Sequence, residues 1–173
     1  MLNVKVLKTI VNDGILYEIV EKPETIYAGK LESSDTNKGE PDIKSILGGY
    51  REISSKITGA VDEAWWLGIS MNYGNDKVPA SYMFALEVNT DEQPDGVDVY
   101  KMPASFYIRM RKDDNNALKQ LGKENCQSYE LFSLIFDTMK KYHYDFGNCG
   151  EIECDFSKDV KIGYVYVSIA ANH

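Results

Sequence analysis

Apolar and polar residues alternate along several short runs of the chain, and apolar residues recur every three or four positions in two longer ones. The alternating runs are 16–20, 25–31, 65–73, 82–88, 97–102, 105–111, 151–156 and 163–170, and their two-residue period predicts strands. Pro23 separates the first two, because proline cannot donate to a sheet ladder. Ile43, Ile46, Leu47, Tyr50, Ile53 and Ile57 mark an amphipathic helix, with Asp42 placed to cap its start and Gly59 its end. Leu131, Phe132, Ile135, Phe136 and Met139 mark a second helix over 128–142. The polar stretch 32–41 reads as a surface loop, Gly74, Asn75 and Asp76 as a turn, and 89–96, rich in Asp, Glu, Pro and Gly, as a hinge.

The order strand, strand, helix, strand, strand thus occurs twice, over 15–89 and 97–170. The copies also overlay residue by residue. Glu21-Lys22-Pro23-Glu24-Thr25-Ile26-Tyr27 lies on Tyr100-Lys101-Met102-Pro103-Ala104-Ser105-Phe106-Tyr107, each with a proline close behind a lysine and four residues ahead of a tyrosine. One helix on a few strands is a poor core by itself. The expectation is one α+β domain over 1–173, in which duplicated β-α-β-β units share a pseudo-symmetric antiparallel sheet with two helices on one face.

Alternation divides each strand into two faces. The face expected opposite the helices collects Tyr27, Trp66, Met83, Glu87, Tyr107, Glu153, Tyr164 and Tyr166, with small Gly68, Ser70 and Ala85 among them. Aromatics interleaved with small residues and carboxylates describe a groove for a flat organic cation or a polarised neutral ligand. The same face also reads as ordinary half-buried sheet surface, where Tyr and charged residues are tolerated.

Composition narrows the function. Among 173 residues, 27 are acidic and 19 basic, a net charge of −8, which opposes direct binding to nucleic acid. Cys126, Cys149 and Cys154, with His143 and His173, have no metal-ligand spacing, so no metal or cofactor is expected. Lys140, Lys141 and the lysines of 158–161 read as solvated faces without a phosphate loop, and Asp113 to Asn116 lack the spacing of a calcium loop. Ser128, Ser133 and His143 form no patterned nucleophile–base pair. No signal-peptide core or apolar run of membrane-spanning length is present, which reads as a soluble, cytoplasmic protein.

Residues 17–30, Trp66-Leu67-Gly68-Ile69-Ser70, the segment from Tyr100 to Tyr107 and Glu151-Ile152-Glu153-Cys154 together resemble the GyrI-like small-molecule-binding domains, also called AraC or bacterial transcription activator effector-binding domains. The resemblance covers nearly the whole chain. It implies a ligand groove on the sheet face opposite the helices and hydrophobic, often cationic ligands held by aromatics and a carboxylate. The acid maps to Glu153, or alternatively Glu151. Asp155 stands where the family usually has an aromatic. Only about 15 residues precede the matched region, so the resemblance implies a stand-alone ligand-binding protein for sensing or sequestration in drug response, with no direct nucleic-acid or membrane partner. Two alternatives stay open: a GyrI-like hydrolase of cyclopropane-containing compounds, with Glu153 as proton carrier and Tyr107 as helper, and a gyrase-inhibitor-like protein interaction module.

Overall fold

Among the described residues nine strands pair into one antiparallel sheet: β1 (Lys5–Asn12), β2 (Ile15–Lys22), β3 (Thr25–Ser33), β4 (Trp65–Met71), β5 (Ser81–Val88), β6 (Asp98–Met102), β7 (Ser105–Arg111), β8 (Phe146–Phe156) and β9 (Gly163–Ile169). Helices α1 (Ile43–Ile53), α2 (Asn115–Gln120) and α3 (Ser128–Lys141) complete the fold. The computed structural model describes residues 4–34, 41–63, 65–72, 77–113, 115–123, 127–156 and 163–171, with backbone alone for Asn115, Cys154, Asp155 and Phe156. The expected features at 35–40, 74–76, Asp114, Cys126, 158–161 and His173 lie outside the described residues. Among the described residues no helix is long and apolar enough to cross a membrane.

The sheet order is β1-β2-β7-β9-β8-β4-β5-β3-β6. The chain order β2-β3-α1-β4-β5 returns as β6-β7-α3-β8-β9, and exchanging the two sets reverses the sheet order from β2 to β6. The duplicated α+β architecture is therefore present, with its pseudo-twofold axis at the β8–β4 seam.

Local differences from the expected elements have local causes. The chain adds β1, which forms a hairpin with β2 through Asp13 and Gly14 at φ 52° and 79°, the two positive values of a tight turn. Most β1 side chains are exposed, so its apolar pattern is faint. Helix α1 starts at the expected cap, where the Lys44 amide donates to Asp42 Oδ1 at 3.1 Å, but gives way to a 3-10 turn at Ser54–Lys56. Helix α2 lies outside the expected elements, and β8 begins at Phe146 rather than Glu151. The expected hinge is docked: the Thr58 amide donates to Gln93 Oε1 at 3.0 Å, and Gln93 Nε2 returns to Thr58 O at 2.8 Å.

Connectivity forces the sheet to curve. Lys22 on β2 and Thr25 on β3 are joined through Pro23 and Glu24 alone, yet β2 and β3 stand six positions apart in the sheet. Three residue steps reach at most about 10 Å, whereas six strand spacings across a flat sheet are about 29 Å. Met102 and Ser105, on β6 and β7, impose the same restriction through Pro103 and Ala104. The sheet rolls, and its helix-free face becomes the inside. Tyr27, Leu67, Ile69, Met83 and Tyr107 point there, each 0% exposed.

Outside the roll, α3 covers an apolar layer containing Tyr17, Ile108, Met110, Val165 and Val167, while α1 covers Tyr82, Phe84 and Leu86. The inside holds charge in pairs, Lys22 with Glu87 and Arg109 with Glu18. Lys22 Nζ donates to Thr25 Oγ1 at 2.6 Å, lies 3.6 Å from Glu87 Oε2 and stands 5.2 Å from the Tyr27 ring centroid. At the equivalent place in the other half, Tyr107 donates to Met102 Sδ at 2.9 Å.

Glu87→Gln removes the counter-charge of a lysine that is 2% exposed, and urea unfolding should register a loss of about 3 kcal/mol. Adding Lys22→Met, which copies the other half, should recover more than half of that loss. An unchanged loss in the double variant would show that the pair is not the source.

Candidate functional site

Register decides which residues share a face. One row of paired residues runs Lys30, Phe84, Gly68, Glu153, Val165, Met110 and Tyr17 across seven strands and lies on the helix side. The neighbouring row, Leu31, Met83, Ile69, Ile152, Tyr166, Arg109 and Glu18, lies inside the roll.

The expected site residues divide between these faces. Tyr27, Met83, Glu87, Tyr107, Tyr164 and Tyr166 line the inside, whereas Trp66, Glu151 and Glu153 are on the helix side. The expectation of one shared face is corrected by register: Glu153 pairs with Gly68 and Val165, and Ile152 is the residue that pairs with Tyr166. Glu153 and Tyr107 are consequently on opposite faces, so they do not form the proton carrier and helper of the hydrolase alternative.

The inside aromatics already hold cations from the chain itself. The Arg109 guanidinium stands 4.4 Å from the Tyr164 ring centroid and 5.7 Å from that of Tyr166, donates through Nε to Glu18 Oε2 at 2.6 Å, and donates to the Tyr166 hydroxyl at 3.1 Å. Lys22 does the same over Tyr27. Burial pushes the Tyr107 hydroxyl far above its ordinary range, which keeps it neutral. These cations lie over rings and beside acids of the chain itself, as in a packed core.

The helix side carries the open concavity. Helix α1 packs on β3 and β5 and α3 on β9 and β7, which leaves the β4–β8 seam between them. Its floor is Trp66, Gly68 and Ser70 from β4 beside Glu153 and Glu151 from β8. A Cβ on Gly68 would come 2.2 Å from the Tyr82 hydroxyl, so glycine is what lets Tyr82 lie across the floor. Phe84 gathers Tyr82, Trp66 and Tyr50 at centroid distances of 5.1, 5.7 and 6.3 Å, forming an aromatic wall on the α1 side. On the α3 side Phe136 and Phe146 meet edge to face at 5.4 Å. There a cavity of about 480 Å³ is lined by Ser70, Asn72, Phe136, Phe146, Asn148 and Glu151, a size that suits a small organic ligand. A second concavity of about 530 Å³ adjoins Trp66, Tyr50, Ile57 and Glu63.

The two acids of the floor differ in their partners. Glu153 accepts from Ser128 Oγ at 2.6 Å and from Lys112 Nζ, which ties the first residue of α3 to the sheet. Glu151 has no hydrogen-bond or ion-pair partner among the described residues, and burial raises its carboxyl above its ordinary value of 4.5. No cluster of three His, Cys, Asp or Glu side chains is placed to hold a metal among the described residues. Sequence reasoning missed Phe146 and assigned Phe136 to the core. Phe136 carries the same helical spacing as the core residues, and Phe146 lies ahead of the alternating part of β8. Lys112 and Ser128, 41 and 25 residues from Glu153, give no sequence signal of their meeting.

No family model matches the chain, and no curated protein matches it. Solved structures do. The structure of SAV2435 bound to tetraphenylphosphonium aligns with a TM-score of 0.59 at 13% identity, covering 90% of this chain and 94% of that one. A bacterial transcription regulation protein from Staphylococcus aureus MU50 aligns at 0.56 and 14% identity, covering 91% and 100%. The C-terminal domain of EcmrR aligns at 0.56 and 12%, covering 89% and 96%. These likenesses show a shared fold, in agreement with the resemblance to GyrI-like effector-binding domains.

A carboxyl whose pKa is raised on folding binds its proton more tightly in the native state, so it costs stability as pH rises through 4.5 toward the raised value, and fully above it. Glu151→Gln should therefore be more stable than the unaltered chain at pH 7 and equal to it at pH 4, measured as urea midpoints. The same difference at both pH values would refute the burial of this charge.

Proposed function

We propose that the chain binds a lipophilic organic cation in the cleft between α1 and α3, as a sensing or sequestering protein. The observation that carries this reading is Glu151: a half-buried carboxylate without a counter-charge among the described residues, in a cavity of about 480 Å³ beside Phe136 and Phe146. A cation entering there supplies the missing charge, and phenyl faces favour it further. The net charge of −8 attracts such a ligand from a distance. The shared fold of SAV2435, which holds tetraphenylphosphonium, supports the ligand class. Glu151 thus takes the part first given to Glu153, which its two donors already occupy.

One observation favours a second reading, hydrolysis. Burial lets the Glu151 carboxyl hold its proton to a higher pH than an exposed glutamate would, the direction a general acid requires. Ser70, Asn72 and Asn148 line the same cavity and supply polar groups beside the carboxyl.

Calorimetric titration with tetraphenylphosphonium should show saturable binding that Glu151→Gln weakens by about tenfold. Affinity should rise with pH from 4.5 upward, as Glu151 loses its proton. Equal affinity in the variant would overturn the role of Glu151. Mass spectrometry of the recovered compound separates the readings, since intact ligand means binding and altered ligand means hydrolysis.

A further inference from the structure

Strand β8 turns two carboxyls toward the cleft, Glu151 and Glu153, two residues apart and so about 7 Å from each other along the strand. Their charges are not equally available. Lys112 follows the end of β7, and its amide donates to Gly163 O at 2.8 Å, which fixes its backbone at the start of β9. From there its side chain crosses β9 to the Glu153 carboxylate on β8. The lysine and the glutamate remain 20% and 22% exposed, so this ion pair stays accessible to solvent beside Glu151, on the same face of the sheet.

We infer that Lys112 sets the charge of the ligand: it is the resident counter-ion of the second cleft carboxylate, and the cleft accepts organic cations bearing one positive charge in preference to two. The inference rests on the reading of the cleft as a cation site. A monocation pairs with Glu151 and meets no repulsion. A flat dication with charges spaced to reach both acids would have to displace Lys112 from Glu153, or hold its second charge beside an ammonium, and both are unfavourable. Ser128 keeps Glu153 oriented in either case, since its hydroxyl donates to the same oxygen as Lys112. Lys112 acts through Glu153 and is a specificity-determining residue.

The matched probes are N-methyl-4-phenylpyridinium and N,N′-dimethyl-4,4′-bipyridinium, which share a biaryl frame and differ by one charge. Calorimetric titration of the unaltered chain should show the monocation bound at least as tightly as the dication. Lys112→Met should shift the affinity ratio toward the dication by about tenfold, and Glu153→Gln added to it should cancel that shift. Thermal unfolding checks that each variant folds. Lys112→Gln, which keeps a donor for Glu153, replaces Lys112→Met if that variant does not fold. An unchanged ratio in the folded Lys112 variant, with the effect of Glu151→Gln intact, overturns this inference alone. Binding of neither probe by the unaltered chain overturns both it and the cation reading.

Discussion

Pro23-Glu24 and Pro103-Ala104 each join strands that stand six positions apart in the sheet, and the reach of so short a link obliges the sheet to roll. Everything inside the roll must then pack as a core although no helix covers it. This is why Tyr27, Tyr107 and Tyr166 are buried on the helix-free face. It is also why that face tolerates charge only where a partner is at hand, with Lys22 beside Glu87 and Arg109 beside Glu18. The proline in each link fits this geometry, since the chain there leaves one ladder before entering another and has no amide to offer either.

Rolling has a consequence on the outer face. Helices α1 and α3 sit on the convex side, one on each half, and curvature spreads them apart. Each covers the strands of its own half, so the β4–β8 seam between the halves is left without a roof. Residues at the seam are therefore under different rules from those under the helices. Gly68 is small because Tyr82 crosses it, and Glu153 anchors the start of α3. Glu151 is a partly desolvated carboxylate without a hydrogen-bond or ion-pair partner among the described residues. A charge kept at a cost in stability, in a cavity with aromatic walls, is where function departs from folding.

The fold was largely legible because its signals are periodic. The two helices, the proline crossings and the duplicated order all show in the spacing of apolar residues, and Asp42 caps α1 as its type requires. The site was legible only in part, for a physical reason. Alternation divides each strand into two sets of side chains but does not say which set of one strand joins which set of the next; pairing register does. In an ordinary sheet with one wet face the apolar set identifies the core side. Here both faces are buried, so β4 sends Leu67 and Ile69 inside while β9 sends Val165 and Val167 under α3. Trp66, Glu151 and Glu153 were therefore grouped with aromatics from which the sheet itself divides them.

The two halves share a backbone plan and differ in chemistry at equivalent places. Lys22 and Glu87 stand in one half where Met102 and Ser168 stand in the other, since Tyr27 pairs with Glu87 and Tyr107 with Ser168. Inside the roll either solution folds, because what the position demands is a satisfied contact and not a particular charge. At the seam the demand is different. Gly68 of one half faces Glu153 of the other, and Ser70 faces Glu151, so neither half alone builds the concavity. Trp66 and Phe84 are contributed from the α1 side, and Phe136, Phe146 and both acids from the other. A cleft with both acids on one side needs the halves to differ, and a perfectly symmetric duplication would place the same groups on both sides of the axis. Divergence at the seam is thus the step that turns a folding device, the paired halves, into an asymmetric cleft able to orient a ligand with one charged end and one flat apolar face.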